Sequence, residues 1–217
     1  MDSHINPIKM MIVDHQNIVR AGLKKLVESA PDIEVVAQSD SGEEAINLYK
    51  AEPVDIVLME INMPGMGGFV ATQRLLRLNP ALSVLLISMY QNPDLAAKAL
   101  KIGAKGFICK CCSPDELLHA IRMVKQGRTF LDAETAQALA IHSATGKADT
   151  PIDVLTPREF EVFVLLAQGL PVKEIYPKLY LSPKTVNVHR ANILDKLHAK
   201  NAAELARIAI RHHIIEA

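Results

Sequence analysis

The chain lacks tryptophan altogether, and aromatic residues make up only 4% of a sequence that is 49% hydrophobic. A globular fold with aliphatic cores is therefore expected. Net charge is missing as well: 24 basic residues balance 24 acidic ones, so bulk charge does not announce a nucleic-acid partner. No apolar run approaches the roughly 18 residues needed to cross a bilayer, which argues against a membrane span. The N-terminus, Met1-Asp2-Ser3-His4, has no basic start followed by an apolar stretch, so no signal peptide is evident. Cysteine is scarce. Cys109, Cys111 and Cys112 are odd in number and crowded together, which fits a reducing cytoplasm better than a disulfide framework.

What is present divides the chain in two. Its 217 residues suffice for one large or two small domains. From Lys9 to Gly127, β-rich runs at Met10–Val13, Ile33–Ala37, Ile56–Met59, Ser83–Ile87 and Gly106–Cys109 alternate with stretches of helical period. That alternation predicts an α/β fold with a doubly wound, five-stranded parallel sheet. Continuous aliphatic runs such as Val84-Leu85-Leu86-Ile87 agree with strands buried on both faces. Residues 8–127 are read as this first domain and 128–153 as a linker. The linker carries a helical stretch, Asp132–His142, and then the small, polar run from Ser143 to Pro151. Residues 154–217 read as all helical. Thr156-Pro157-Arg158-Glu159 is a capping-box start, Gly169 ends that helix, and Ser182-Pro183 opens the next long one.

Ligands of an open parallel sheet bind beyond the carboxyl ends of its strands. Asp14 and His15, Glu60, Ser88 and Lys110 should gather there, each following a different strand. This order of acids, hydroxyl and ammonium resembles the receiver domain of bacterial two-component response regulators, a flavodoxin-like fold, over about residues 9–126. The resemblance includes Asn62-Met63-Pro64-Gly65 after the acid, Gly103-Ala104-Lys105-Gly106-Phe107 before the lysine, and Ser113-Pro114 after it. It implies aspartyl phosphorylation with magnesium held by an acidic pair. Ser88, Lys110 and the aromatic Phe107 match the residues that respond to the phosphoryl group.

Two positions depart from that scheme. His15 replaces one metal-ligating carboxylate of the acidic pair, and Mg²⁺ prefers oxygen ligands. Glu60 stands at the phosphoacceptor position, where its extra methylene carries the carboxylate more than ~1 Å further out, a displacement that can cost ~10²-fold in rate. The expectation is a pseudo-receiver without magnesium-dependent phosphotransfer, and no cofactor. Glu60 can then reach Ser88 and Lys110 itself and partly replace the phosphoryl charge. Other readings of these groups are a buried ion pair that only fixes packing, or a transition metal held by Asp14, His15 and Glu60. The cysteines, lacking a CxxC partner, are read as buried or incidental thiols ahead of a metal or redox role.

Residues Leu155–Ile215 resemble the tetrahelical helix-turn-helix of the NarL/LuxR group. The resemblance rests on Leu155-Thr156-Pro157-Arg158-Glu159, Gln168-Gly169-Leu170, Lys173-Glu174-Ile175 and Leu181-Ser182-Pro183-Lys184-Thr185-Val186, and continues through His189-Arg190 to Lys196-Leu197. A recognition helix shows its apolar face to the scaffold and its polar face to the major groove. Val186, Ile193, Leu194 and Leu197 form the inward face. Thr185, Asn187, Val188, His189, Ala191 and Asn192 are left for DNA or solvent, Asn187 with an amide to read adenine and Val188 with methyls to touch thymine. Lys184, Thr185, Arg190 and Lys196 are placed to hold phosphates. Tyr176 and Pro177 depart from the pattern, and a kinked scaffold helix or weakened DNA binding is expected from them.

Together the two halves resemble a GacA/UvrY-type regulator. The resemblance implies a cytoplasmic, non-enzymatic transcription factor that binds double-stranded promoter DNA. It also implies a homodimer joined through the last helix, with a sensor histidine kinase as a further partner. Two alternatives stay open: a conventionally phosphorylated regulator, and a module without DNA binding that titrates a partner.

Overall fold

The computed structural model describes residues 6–89, 91–144, 154–212 and 214–215. The first half alternates strand and helix: β1 (Ile8–Val13), α1 (Asn17–Val27), β2 (Ile33–Ser39), α2 (Gly42–Ala51), β3 (Ile56–Glu60), α3 (Gly68–Leu78), β4 (Ser83–Ser88), α4 (Pro93–Lys101), β5 (Gly106–Cys109) and α5 (Pro114–Lys125). The strands form one parallel sheet in the order β2-β1-β3-β4-β5, with one further short strand beside β5. The pleat sends alternate residues to opposite faces. Met10, Ile12, Ile56, Leu58, Leu85 and Ile87 pack with Val27 of α1 and with Leu117, Ile121 and Val124 of α5. Met11, Val13, Val57, Met59, Val84 and Leu86 face the other way, toward α2, α3 and α4. Both faces are covered, which is why β3 and β4 are buried at every position.

The sheet has six strands rather than the expected five. Phe130–Leu131 forms β6 and pairs with β5 in the register Gly106↔Phe130 and Phe107↔Leu131. Two residues are too few to display a strand's alternation, so the sequence carries no periodic signal for it. Asp132 then caps α6 (Ala133–Ala144), accepting from the amide and hydroxyl of Thr135 at 2.8 and 2.7 Å. The expected helix of the linker is thus present, while residues 145–153 lie outside the described residues.

The second half holds α7 (Pro157–Ala167), α8 (Val172–Lys178), α9 (Pro183–Lys196) and α10 (Ala202–Arg211). The capping box at Thr156 is complete, and Ser182 accepts the Thr185 amide at 3.0 Å to start α9. Gly169 closes α7 with φ +82°, a left-handed conformation that costs glycine little. Phe160 and Phe163 of α7 join Ile175 of α8, Val186 and Ile193 of α9, and Leu205 and Ala209 of α10 in one core. Pro177 falls in the last turn of α8, one residue before its end. The helix stops there, so the proline does not break a longer one. No helix among the described residues is long and apolar enough to cross a membrane.

Candidate switch pocket and nucleic-acid interface

The strand tips gather the expected groups. Asp14 follows β1 and Ser88 ends β4, both fully buried, and Glu60 ends β3 with only 2% exposed. Lys110, the residue after β5, sends its ammonium to Asp14 Oδ2 at 2.6 Å and to Glu60 Oε2. The amides of this rim hold the carboxylates from the other side. Gln16 N–H donates to Asp14 Oδ1 at 2.8 Å, and Asn62 N–H donates to Glu60 Oε1 at 2.9 Å. The Lys110 amide is itself fixed by the Ser88 carbonyl at 2.7 Å. Phe107 is buried in β5 beneath the site. Gly68 sets the loop after β3: a Cβ there would stand 2.1 Å from the Glu60 carbonyl oxygen, so any side chain would push the strand tip away.

Burial raises the Glu60 carboxyl above its ordinary range; the Lys110 ammonium opposes this, and the neighbouring Asp14 charge adds to the rise. Two carboxylates thus share one ammonium in a buried site. His15 stands apart from this cluster. It is half-buried, lines a cleft of about 340 Å³ beside Asn62, Met63, Phe160 and Glu161, and its Nδ1 finds no hydrogen-bond partner among the described residues. Among the described residues no three His, Cys, Asp or Glu side chains are grouped to hold a metal ion.

The cysteines differ from the sequence expectation. Cys109 and Cys111 are joined by a disulfide bond, and only Cys112 is free. The turn after β5 folds Cys111 back over Cys109, with the Cys111 amide 3.2 Å from the Cys109 sulfur. Spacing arguments tuned to CxxC do not detect such a contact.

On α9, Lys184, Asn187, Val188 and Ala191 are exposed along one face, with Thr185, His189 and Arg190 half-buried at its margins. Val188 is 51% exposed, an apolar side chain with no packing role. Lys196 is turned into the domain instead, where its ammonium meets Glu159 Oε2 at 2.6 Å. Burial works against ionisation of Glu159, but the Lys196 ammonium and the Thr156 hydrogen bonds outweigh it and hold that carboxyl below its usual range. Burial holds the His189 ring below its ordinary value; the Glu159 charge opposes this, and the Arg158 and Lys196 charges add to the fall.

Several contacts that the sequence does not reveal join the two halves. Phe69 of α3 meets Phe160 of α7 edge to face, with ring centroids 5.6 Å apart. The buried Lys98 ammonium lies 5.3 Å from the Phe160 ring centroid and donates to the Leu155 carbonyl at 2.5 Å. Arg158 donates to the Gly65 carbonyl at 2.7 Å and also pairs with Glu161 and the Leu179 carbonyl. His212 meets Asp94 at 2.7 Å. These partners lie up to 120 residues apart in sequence, as for Asn92 with the His212 carbonyl, so no local pattern reveals them.

Comparison with known proteins adds the family. Residues 10–122 match the response regulator receiver domain, and residues 153–209 match the bacterial regulatory proteins of the luxR family. The chain is 35% identical over 211 residues to the response regulator GacA of Pseudomonas aeruginosa, covering 97% of this chain and 99% of that one. It is 34% identical to the response regulator UvrY of Escherichia coli, covering 97% of each. Among solved structures it is similar to RcsB from Salmonella enterica serovar Typhimurium, bound to a promoter in the presence of a phosphomimetic. That likeness has 26% identity and a TM-score of 0.71, over 94% of this chain and 98% of that one.

Proposed function

We propose, for a chain that belongs to the luxR-type response regulators, that its receiver works without magnesium-dependent phosphorylation at position 60. The observation that carries this reading is the Lys110 ammonium seated between Glu60 and Asp14. A hard divalent ion needs about six oxygens in near-octahedral array. Here Glu60 Oε2 and Asp14 Oδ2 already face the ammonium, their second oxygens take backbone amides, and the next residue is an imidazole. That donor set does not suit magnesium. The Glu60 carboxylate lies where Lys110 can pair with it directly, and so supplies part of the negative charge that a phosphoryl group would bring.

The output we infer is promoter binding by α9, in the domain proposed to run from 154 to 217 after a receiver at 8–127 and a linker at 128–153. The exposed face of Lys184, Asn187, Val188 and Ala191 supports this, and the relation to RcsB, solved on promoter DNA, agrees with it. Asn187 has the amide needed to read adenine and Val188 the methyls to meet thymine. Lys196, held by Glu159, positions α9 from behind rather than gripping phosphate. The protein acts in this reading as a cytoplasmic, non-enzymatic homodimer joined through α10, whose Ile210 is 38% exposed. A sensor kinase is a partner only if it acts by contact.

Incubation with acetyl phosphate and Mg²⁺, followed by mass spectrometry, should show no stoichiometric phospho-Glu60. A gel shift of the same protein on promoter fragments should show salt-sensitive binding that does not depend on the phosphodonor. A labile phosphoryl adduct at Glu60 that strengthens DNA binding would return the chain to the conventional mechanism.

A further inference from the structure

The bond between Cys109 and Cys111 spans a single residue, and that residue is Lys110. Cys109 is buried at the end of β5, its sulfur 3.5 Å from the Met89 carbonyl oxygen, while Cys111 is exposed. The covalent ring therefore holds both backbone neighbours of the lysine whose ammonium joins Asp14 and Glu60. Disulfides in a reducing compartment are usually transient and redox-sensing rather than structural. We propose that Cys109 and Cys111 form a reversible thiol–disulfide site, oxidised by low-molecular-weight disulfides, whose state governs how firmly Lys110 is held between the two carboxylates. This goes beyond the reading of Glu60 and does not depend on it.

The exposed Cys111 is the sulfur that meets the reagent. Its thiolate attacks one sulfur of a small disulfide, forming a mixed disulfide and releasing one thiolate of the reagent. The Cys109 thiolate then attacks the Cys111 sulfur, closing the intrachain bond and releasing the second reagent thiolate. Two cysteine thiols lose two electrons and two protons, and the reagent becomes two thiols. The third cysteine takes no part: Cys112 is pushed up to about 11, first by burial and then by the Glu116 charge, and so remains a thiol near pH 7. Bonding fixes the backbone on both sides of Lys110. Once the bond opens, the Ser88 carbonyl remains on the Lys110 amide, and Cys111 is free to swing outward.

The full-length protein is equilibrated in buffers of reduced and oxidised glutathione, quenched in acid, and alkylated under denaturing conditions. Intact mass and peptide mapping should find one alkyl group, on Cys112, in the oxidised form and three in the reduced form. Cys112→Ser should titrate at the same midpoint as the parent. On separate, native portions of each form, brief treatment with acetic anhydride reports the Lys110 ammonium, which should be acetylated at least threefold faster in the reduced form while other lysines keep their rates. The exposed position of Cys111 makes Cys111→Ser a mild change. That variant should form no intrachain bond and show no redox dependence at Lys110. Oxidation that gives only glutathione adducts, a bond to Cys112 or disulfide-linked dimers would overturn the proposal. So would equal Lys110 labelling in both forms, or a response that persists in Cys111→Ser.

Discussion

At Lys110 a single ammonium faces two buried carboxylates, and that one cation for two acids controls the pocket. Removing one partner of a buried ion pair leaves an uncompensated charge, which typically costs 3–5 kcal/mol. Lys110→Met should therefore lose ~3 kcal/mol or more of stability at pH 8 in urea unfolding. The sign of its pH dependence follows from the carboxyls. Glu60 already sits above its ordinary range because of burial, and without the ammonium it rises further, so the folded variant binds protons more tightly than the unfolded chain. Its stability should be highest in acid and fall as pH rises past the ordinary carboxylate range. An unfolding midpoint that is independent of pH would contradict this. Position 60 was legible as unusual from sequence, because strand-end acids and Pro/Gly loops are local patterns. The pairing of Glu60 with Lys110 was legible as well; the second grip of Lys110, on Asp14, was not, since it depends on how three strand tips converge.

Among the elements, α9 depends on its ends as much as on its packed face. Ser182 accepts the Thr185 amide and satisfies one of the donors that a helix start leaves open. Ser182→Ala should cost about 1 kcal/mol of domain stability, read by thermal unfolding, with Ser182→Asp restoring most of it. From behind, Lys196 ties the last turn of α9 to Glu159 at the start of α7. Lys196→Met should weaken DNA binding by misplacing α9, and the slope of log affinity on log salt should stay nearly unchanged. A change of slope by about one unit would mean that Lys196 meets a phosphate after all. The helix starts were readable because caps are written in three or four consecutive residues. The two-residue β6 and the inward turn of Lys196 were not, one being too short for periodicity and the other depending on which face α7 covers.

For the whole molecule, the seam between the halves is the feature that responds to conditions. Phe69, Phe160 and the buried Lys98 form its apolar part, and Arg158 bridges α7 to the loop at Gly65. Beside them, Glu161 is pushed up to about 7, chiefly by burial; Arg158 opposes this and Glu43 reinforces it. A carboxyl that is higher when docked than when solvated favours docking in acid. The contribution is complete below the ordinary carboxylate range and is lost as pH rises through about 7. A displacement of that size corresponds to roughly 3 kcal/mol. Small-angle scattering and limited proteolysis should find the halves closed at pH 5 and more open at pH 8. Glu161→Gln should remove that dependence and keep them closed. Phe160→Ala should open the seam at both pH values and destabilise the C-terminal domain by about 3–5 kcal/mol.

Local chemistry in the sequence by itself determined a great deal: alternating aliphatic runs specify a covered parallel sheet, and capping residues specify where the last helices begin. It also settled that position 60 bears a glutamate and position 15 an imidazole, because residue identity needs no fold. Tertiary structure alone decided which groups share a charge, which cationic side chains of α9 turn outward, and how the two halves meet. Those outcomes depend on desolvation and on contacts between residues distant in the chain. No short-range pattern encodes either one.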